Sequence, residues 1–169
     1  MKKYISTAIA IAAVLVLSFL IWNRNHMILR NPEVDLFCEG LEGDHPKIVR
    51  IEKYMFRTFI GFELYYEDSQ ISREELIEIR DAFKDRFNRY FIEKIGRKHW
   101  GRSMYPADFS VRIYLKKRDG FHDDYDYEIS STLADGYDTQ VPLSDSDNLF
   151  RYWSIATPEG LLIQEEEAM

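Results

Sequence analysis

Cysteine is almost absent. Cys38 stands alone among 169 residues, so no disulfide can staple the chain to itself, and sulfur carries no information about compartment. Its stretch reads as a linker, a poor platform for a nucleophile; the thiol is expected to be buried and inert, with an intermolecular disulfide as the alternative. Histidine is scarce and scattered: His26, His45, His99 and His122 form no H-x-x-x-H or H-E-x-x-H spacing. The G-x-S-x-G nucleophile elbow, the phosphate-binding P-loop and the dinucleotide fingerprint are absent as well. No catalytic, cofactor-binding or metal-ligating residue is singled out, and no cofactor is implied. His99-Trp100 reads as a loop pair whose indole plugs the end of a sheet rather than anchoring a ligand.

Acidic residues are missing from the first 30 positions. Those positions hold four of the 22 basic side chains (Lys2, Lys3, Arg24, Arg30) and none of the 29 acidic ones, which leaves a formal charge of −11 on the rest. Such a domain is repelled by nucleic acid and by anionic lipid headgroups, so a nucleic-acid partner is disfavoured.

Charge, proline and glycine are all missing from "ISTAIAIAAVLVLSFLIW", Ile5 to Trp22. As a helix this run reaches about 27 Å, close to the hydrocarbon thickness of a bilayer. Tyr4 and Trp22 bracket it as interfacial aromatics do. A cleaved secretory leader competes, but its apolar region spans only about 7–15 residues and ends in small side chains. "SFLIWNRNH" has no such ending. The pattern predicts an uncleaved signal-anchor: residues 1–22 form a membrane anchor in contact with lipid, with the transmembrane helix at about 5–22. The basic residues on the two sides are nearly balanced. The short "MKK" head, similar to the start of bacterial export signals, sets the N-terminus in the cytoplasm and the C-terminal domain outside.

Beyond the anchor the pattern predicts a linker or stalk over 23–46, with a short ordered piece at "VDLFCEGL". An α+β domain follows over 47–158, then an acidic tail over 159–169. Apolar or β-favouring side chains recur at every second position from Tyr54 through Phe56, Thr58, Ile60, Phe62 and Leu64 to Tyr66. One long strand is expected there, starting as early as Ile48, with Gly61 marking a bulge or bend. Ser72 and Glu75 form an S-x-x-E capping box, with Ile71 and Leu76 as its hydrophobic staple. Leu76, Ile79, Phe83, Phe87, Tyr90, Phe91 and Ile95 make one apolar stripe, so a single long helix is expected, closed by Gly96. "RKHWGRSMYPAD" reads as a loop; "FSVRIYLK", "YDYEISSTL" and "LFRYWSIA" read as strands. The expected order is β-α-β-β-β, one long helix on a mainly antiparallel sheet.

"RIYLKKRDGFHDDYDYEIS", 112–130, most resembles chemistry. A two-residue turn at Asp119-Gly120 would set each inward side chain opposite an outward one, so that register cannot bury both faces. A three- or five-residue loop gives an even sum and repairs this, with basic residues opposite acidic ones whether the sum is 238, 240 or 242; one such register sums to 240. It sets Leu115 against Tyr125, Ile113 against Tyr127 and Val111 against Ile129, with Lys116 facing Asp124 and Arg112 facing Glu128. Such cross-strand charge pairs contribute about 0.2–1 kcal/mol each, enough to help register. A charge-matched hairpin is the expected reading. Neither this run nor "SDSDN" fits a calcium loop. A cation shared by Asp135, Asp138, Asp145 and Asp147 is the alternative to an ordinary solvated loop, which the sequence favours.

The functional expectation is a single-pass membrane protein that displays a small acidic extracytoplasmic domain for binding a protein partner. Tyr65, Trp100, Tyr114 and Tyr137 supply aromatics of the kind enriched at interfaces, unless they merely cap the core. A membrane-tethered, carboxylate-based hydrolase of the cell envelope is one alternative, and an immunity-type inhibitor protein is another. A cleft that draws in Asp124, Asp126 and Glu128, away from Arg112 and Lys116, would favour the enzyme.

Overall fold

The computed structural model describes residues 14, 26–56, 59–100, 108–132 and 152–166. The expected anchor at 5–22 lies outside them, save residue 14. Among the described residues no helix is long and apolar enough to cross a membrane.

The architecture is mixed α+β. In chain order the elements are β1 (His26–Ile28), α1 (Pro32–Asp44), β2 (Ile48–Phe56), β3 (Phe59–Tyr66), α2 (Arg73–Arg86), α3 (Arg89–Trp100), β4 (Asp108–Leu115), β5 (Tyr127–Thr132), β6 (Tyr152–Thr157) and β7 (Gly160–Glu166). The strands form one seven-stranded sheet in sequence order, β1 to β7. Among the described strands only β3 and β4 pair in parallel, joined by the α2–α3 crossover that a parallel connection needs. The sheet is therefore largely antiparallel, as expected, but richer in elements.

The expected long strand is a hairpin. A single strand from Ile48 to Tyr66 would run about 60 Å, far beyond the dimensions of a small domain. β2 and β3 instead pair antiparallel, so that Phe56 meets Phe59, Met55 meets Ile60 and Tyr54 meets Gly61. Paired positions now sum to an odd number, which reverses the parity of the alternation. Ile60, Phe62, Leu64 and Tyr66 enter the core with Met55, while Tyr54 and Phe56 lie on the opposite, open face. Gly61 is no bulge: the pairing there is regular, and the Tyr54 ring lies over it.

The expected linker carries β1 and α1. Asn31 caps α1 by accepting the N–H groups of Glu33 (2.9 Å) and Val34 (3.4 Å), and Pro32 opens the helix. Val34, Cys38 and Leu41 form its buried stripe. Exposed Glu33 takes hydrogen bonds from Lys94 (2.5 Å) and Arg86 (3.3 Å), and the Lys94 bond leads in holding its carboxyl below the usual range. The expected single helix is two. Phe87 closes α2 through its N–H to the Phe83 carbonyl, and Asn88 starts α3 by accepting the Phe91 N–H at 3.0 Å. Gly96 lies inside α3, which runs through the expected loop to Trp100. The expected tail contributes β7, which returns along β6 after a two-residue turn at Pro158-Glu159.

An aromatic hub holds the layers together. Phe62 of β3, Phe83 of α2, Phe87 and Phe109 of β4 stand 5.0–5.7 Å apart between ring centroids. Phe37 of α1 meets Phe83 and Phe87 edge-on, and Trp153 of β6 meets Phe109 at 5.5 Å. Burying rings of this size is worth about 1.5–3 kcal/mol each, which makes the hub the main source of cohesion.

Candidate functional site

The two borders of the sheet differ. At the lower border one row crosses all seven strands: His26, Phe56, Phe59, Asp108, Thr132, Tyr152 and Glu166. At the upper border β3 and β4 end side by side at Tyr66 and Leu115, and the loops after them gather the charged residues of 116–126.

The β4–β5 pairing has the expected even parity and selects the sum of 240: Arg112 opposite Glu128, Ile113 opposite Tyr127 and Val111 opposite Ile129. Glu128 accepts the Arg112 Nε–H at 3.2 Å and the Ser110 hydroxyl at 2.7 Å. Regular pairing stops at Ile113 and Tyr127, so Leu115 does not face Tyr125 and Lys116 does not face Asp124. Lys116 reaches Glu67 instead. Lys117 bonds reciprocally with Gly120, whose φ of +113° lies in the region open to glycine. A two-residue turn at Arg118-Asp119 thus sits inside the loop rather than closing the hairpin.

Above this turn opens a cleft of about 490 Å³, lined by Leu115, Lys117, Asp124, Tyr125, Asp126 and Tyr127 and by the β6–β7 turn at 157–159. Asp126 is committed to structure: one oxygen takes the Leu115 N–H at 2.9 Å and the other pairs with Lys117 at 2.9 Å. Asp124 and Glu159 are exposed, and neither has a cationic partner among the described residues. The Tyr125 ring also faces the Arg112 guanidinium at 5.1 Å, which ties the cleft to the open face. The three residues named as the discriminator are therefore divided: Glu128 pairs with Arg112, while Asp124 and Asp126 line the cleft.

The open face presents less aromatic surface than expected. Tyr114 is only 7% exposed, stacked on Tyr65 at 5.1 Å, and Phe121 meets Tyr65 edge-on at 5.2 Å. Arg50 lies 3.7 Å above the Tyr65 ring. Burial, and after it the Glu63 charge, pushes the Tyr114 hydroxyl up to about 12 and raises that of Tyr65. These rings chiefly cover one another.

The remaining candidates do not converge. Cys38 is buried, as expected, and burial pushes its thiol up to about 11. His45 faces Glu75 at 3.6 Å, and the Tyr66 hydroxyl donates to Glu75 at 2.6 Å, a contact between α1, β3 and α2. His122 stands exposed beside Asp119 at 3.2 Å. The side chains of His26, His99 and Trp100 lie outside the described residues, as do Asp135, Tyr137, Asp138, Asp145 and Asp147. Among the described residues no group of three His, Cys, Asp or Glu side chains could hold a metal ion. Glu159 was missed because it was assigned to a tail; Pro-Glu-Gly between two apolar runs was the available signal for a hairpin.

The cleft can receive a positive group. It offers two carboxylates free of ion pairs and two tyrosine rings, the combination that stabilises an ammonium or guanidinium. Comparisons with protein-family models, curated proteins and solved structures find no match to this chain.

Proposed function

We propose that the chain is a single-pass membrane protein that displays an acidic α+β domain outside the cytoplasm, where its upper cleft binds a basic side chain of a partner protein. The uncharged run at 5–22 supports the tether, and the −11 charge of the rest supports a basic partner. The observation that carries the binding reading is the pairing of Asp124 and Glu159, unneutralised, with Tyr125 and Tyr127 around one cavity. The test is affinity capture with the full-length protein in detergent, wild type against Asp124→Lys/Glu159→Lys. A partner held by the wild type, released by salt and lost in the variant is the expected result. Equal retention by both refutes the cleft as the binding site.

A carboxylate hydrolase of cell-envelope glycan or peptide is the second reading, because the same cleft gathers three carboxylates. Asp126 is committed to Lys117 and Leu115, and Asp124 and Glu159 are exposed rather than enclosed in a water-excluding site around a reacting bond. Turnover of envelope glycan by the wild type, abolished by Asp124→Asn or Glu159→Gln, would establish this reading instead.

A further inference from the structure

The expected stalk is largely taken up by structure, with a geometric consequence. Only residues 23–25 separate the end of the apolar run at Trp22 from the start of β1 at His26. Three residues span at most about 10 Å. His26 belongs to the lower border row, and the cleft lies at the upper border. Along β4, from Asp108 to Leu115, the two borders stand about 23 Å apart, and β5 lies about 19 Å sideways from β1.

Resting on the membrane-anchor reading, we infer that the lower border of the sheet is held against the lipid surface and the acidic cleft is held away from it. The lower row carries Asp108 and Glu166 of its own, so length, not charge, holds it at the membrane. Arg24 flanks the attachment in sequence and is drawn to anionic headgroups. At the upper border Lys47 is spent on Asp68, Lys116 on Glu67 and Lys117 on Asp126. This leaves Arg118 against Asp119, Asp123, Asp124 and Glu159, a surplus of negative charge that anionic lipid repels. A domain tipped over to bring the cleft to the membrane would bury that surplus in a like-charged surface. The lower border therefore meets lipid, and the cleft receives its partner from the aqueous side rather than from the plane of the membrane.

The experiment uses full-length protein in vesicles containing anionic lipid, with one cysteine introduced at exposed Asp108 (Asp108→Cys) or at exposed Glu159 (Glu159→Cys) and labelled with a fluorophore. Buried Cys38 stays unlabelled in the folded protein. Headgroup-linked spin-labelled lipid quenches on close approach. The expected result is strong quenching at position 108 and little at 159, with the contrast reduced in neutral lipid. Equal quenching at both positions, or stronger quenching at 159, with the protein floating with the vesicles, overturns the orientation and leaves the anchor intact. Protein that does not float with the vesicles overturns the anchor and the orientation together.

Discussion

Replacing Gly61 by alanine is expected to destabilise the domain through one identified side chain. Gly61 lies directly opposite Tyr54 in the β2–β3 hairpin, and a Cβ there would stand 2.7 Å from the Tyr54 hydroxyl oxygen and from Cε2. The ring must move, and its neighbour at 5.9 Å is Phe59, so moving it also loosens that contact. Overpacking of this kind costs about 1–3 kcal/mol. Alanine returns about 0.5–1 kcal/mol by restricting the unfolded chain. The net expectation for Gly61→Ala is a loss of about 1–2 kcal/mol. In a Tyr54→Ala background the clash is gone, and the same substitution becomes neutral or stabilising by up to about 1 kcal/mol. The double-mutant cycle should therefore show a coupling of about 2 kcal/mol. Urea unfolding of the full-length protein in detergent, followed by tryptophan fluorescence, measures it, provided the m-value is unchanged. An equal cost of Gly61→Ala in both backgrounds would refute the argument.

Three other outcomes are expected. Tyr66 and Tyr114 should ionise near pH 12, later than a free tyrosine, in a phenolate absorbance titration. For Tyr66 the causes are burial first and then the bond to Glu75. Because the folded value lies above the unfolded one, this contribution to stability is complete below pH 10 and is lost as the pH rises toward 12; Tyr66→Phe should remove absorbance change from the late part of the titration. Cys38 should resist a maleimide at pH 8 in the folded protein and react in urea, since burial both covers the thiol and disfavours the thiolate; rapid labelling of the folded protein would contradict the α1 packing. Asn88→Ala removes the cap of α3 and should cost about 1 kcal/mol in the same urea assay, with Asn88→Asp close to neutral.

Much of this fold was legible where local chemistry decides. Ser72 does accept the Glu75 N–H at 3.1 Å, and Leu76, Ile79 and Phe83 are buried as their spacing required. The even parity of the β4–β5 register followed from the need to bury both apolar faces at once, while the choice among even sums did not. What escaped was punctuation. Asn88 reads as a polar position within one helix, because apolar residues keep three- and four-residue steps on either side of it; across the break the buried face changes, and Tyr90 of the expected stripe is exposed while Ile92 is buried. The sequence between β2 and β3 lacks glycine and proline, so nothing interrupted the alternation. Gly40 and Gly43 suggested a linker, yet both sit in α1 with open space around them, and the cap at Asn31-Pro32 was the stronger signal. At the site, the acidic loop was legible as charge but not as a cavity, since the wall at Glu159 comes from a hairpin more than 30 positions away.

The parallel seam between β3 and β4 has a consequence for biosynthesis. Phe59 and Asp108, which open the seam, are almost 50 positions apart, and Trp153 comes later still. A nascent chain that has reached α3 already displays Phe62, Phe83 and Phe87, with neither Phe109 nor Trp153 made to cover them. The first half of the polypeptide must therefore wait, greasy side open, for the second. A chain terminated before Trp153 is expected to be held by chaperones or lost to aggregation rather than to survive as a smaller folded piece.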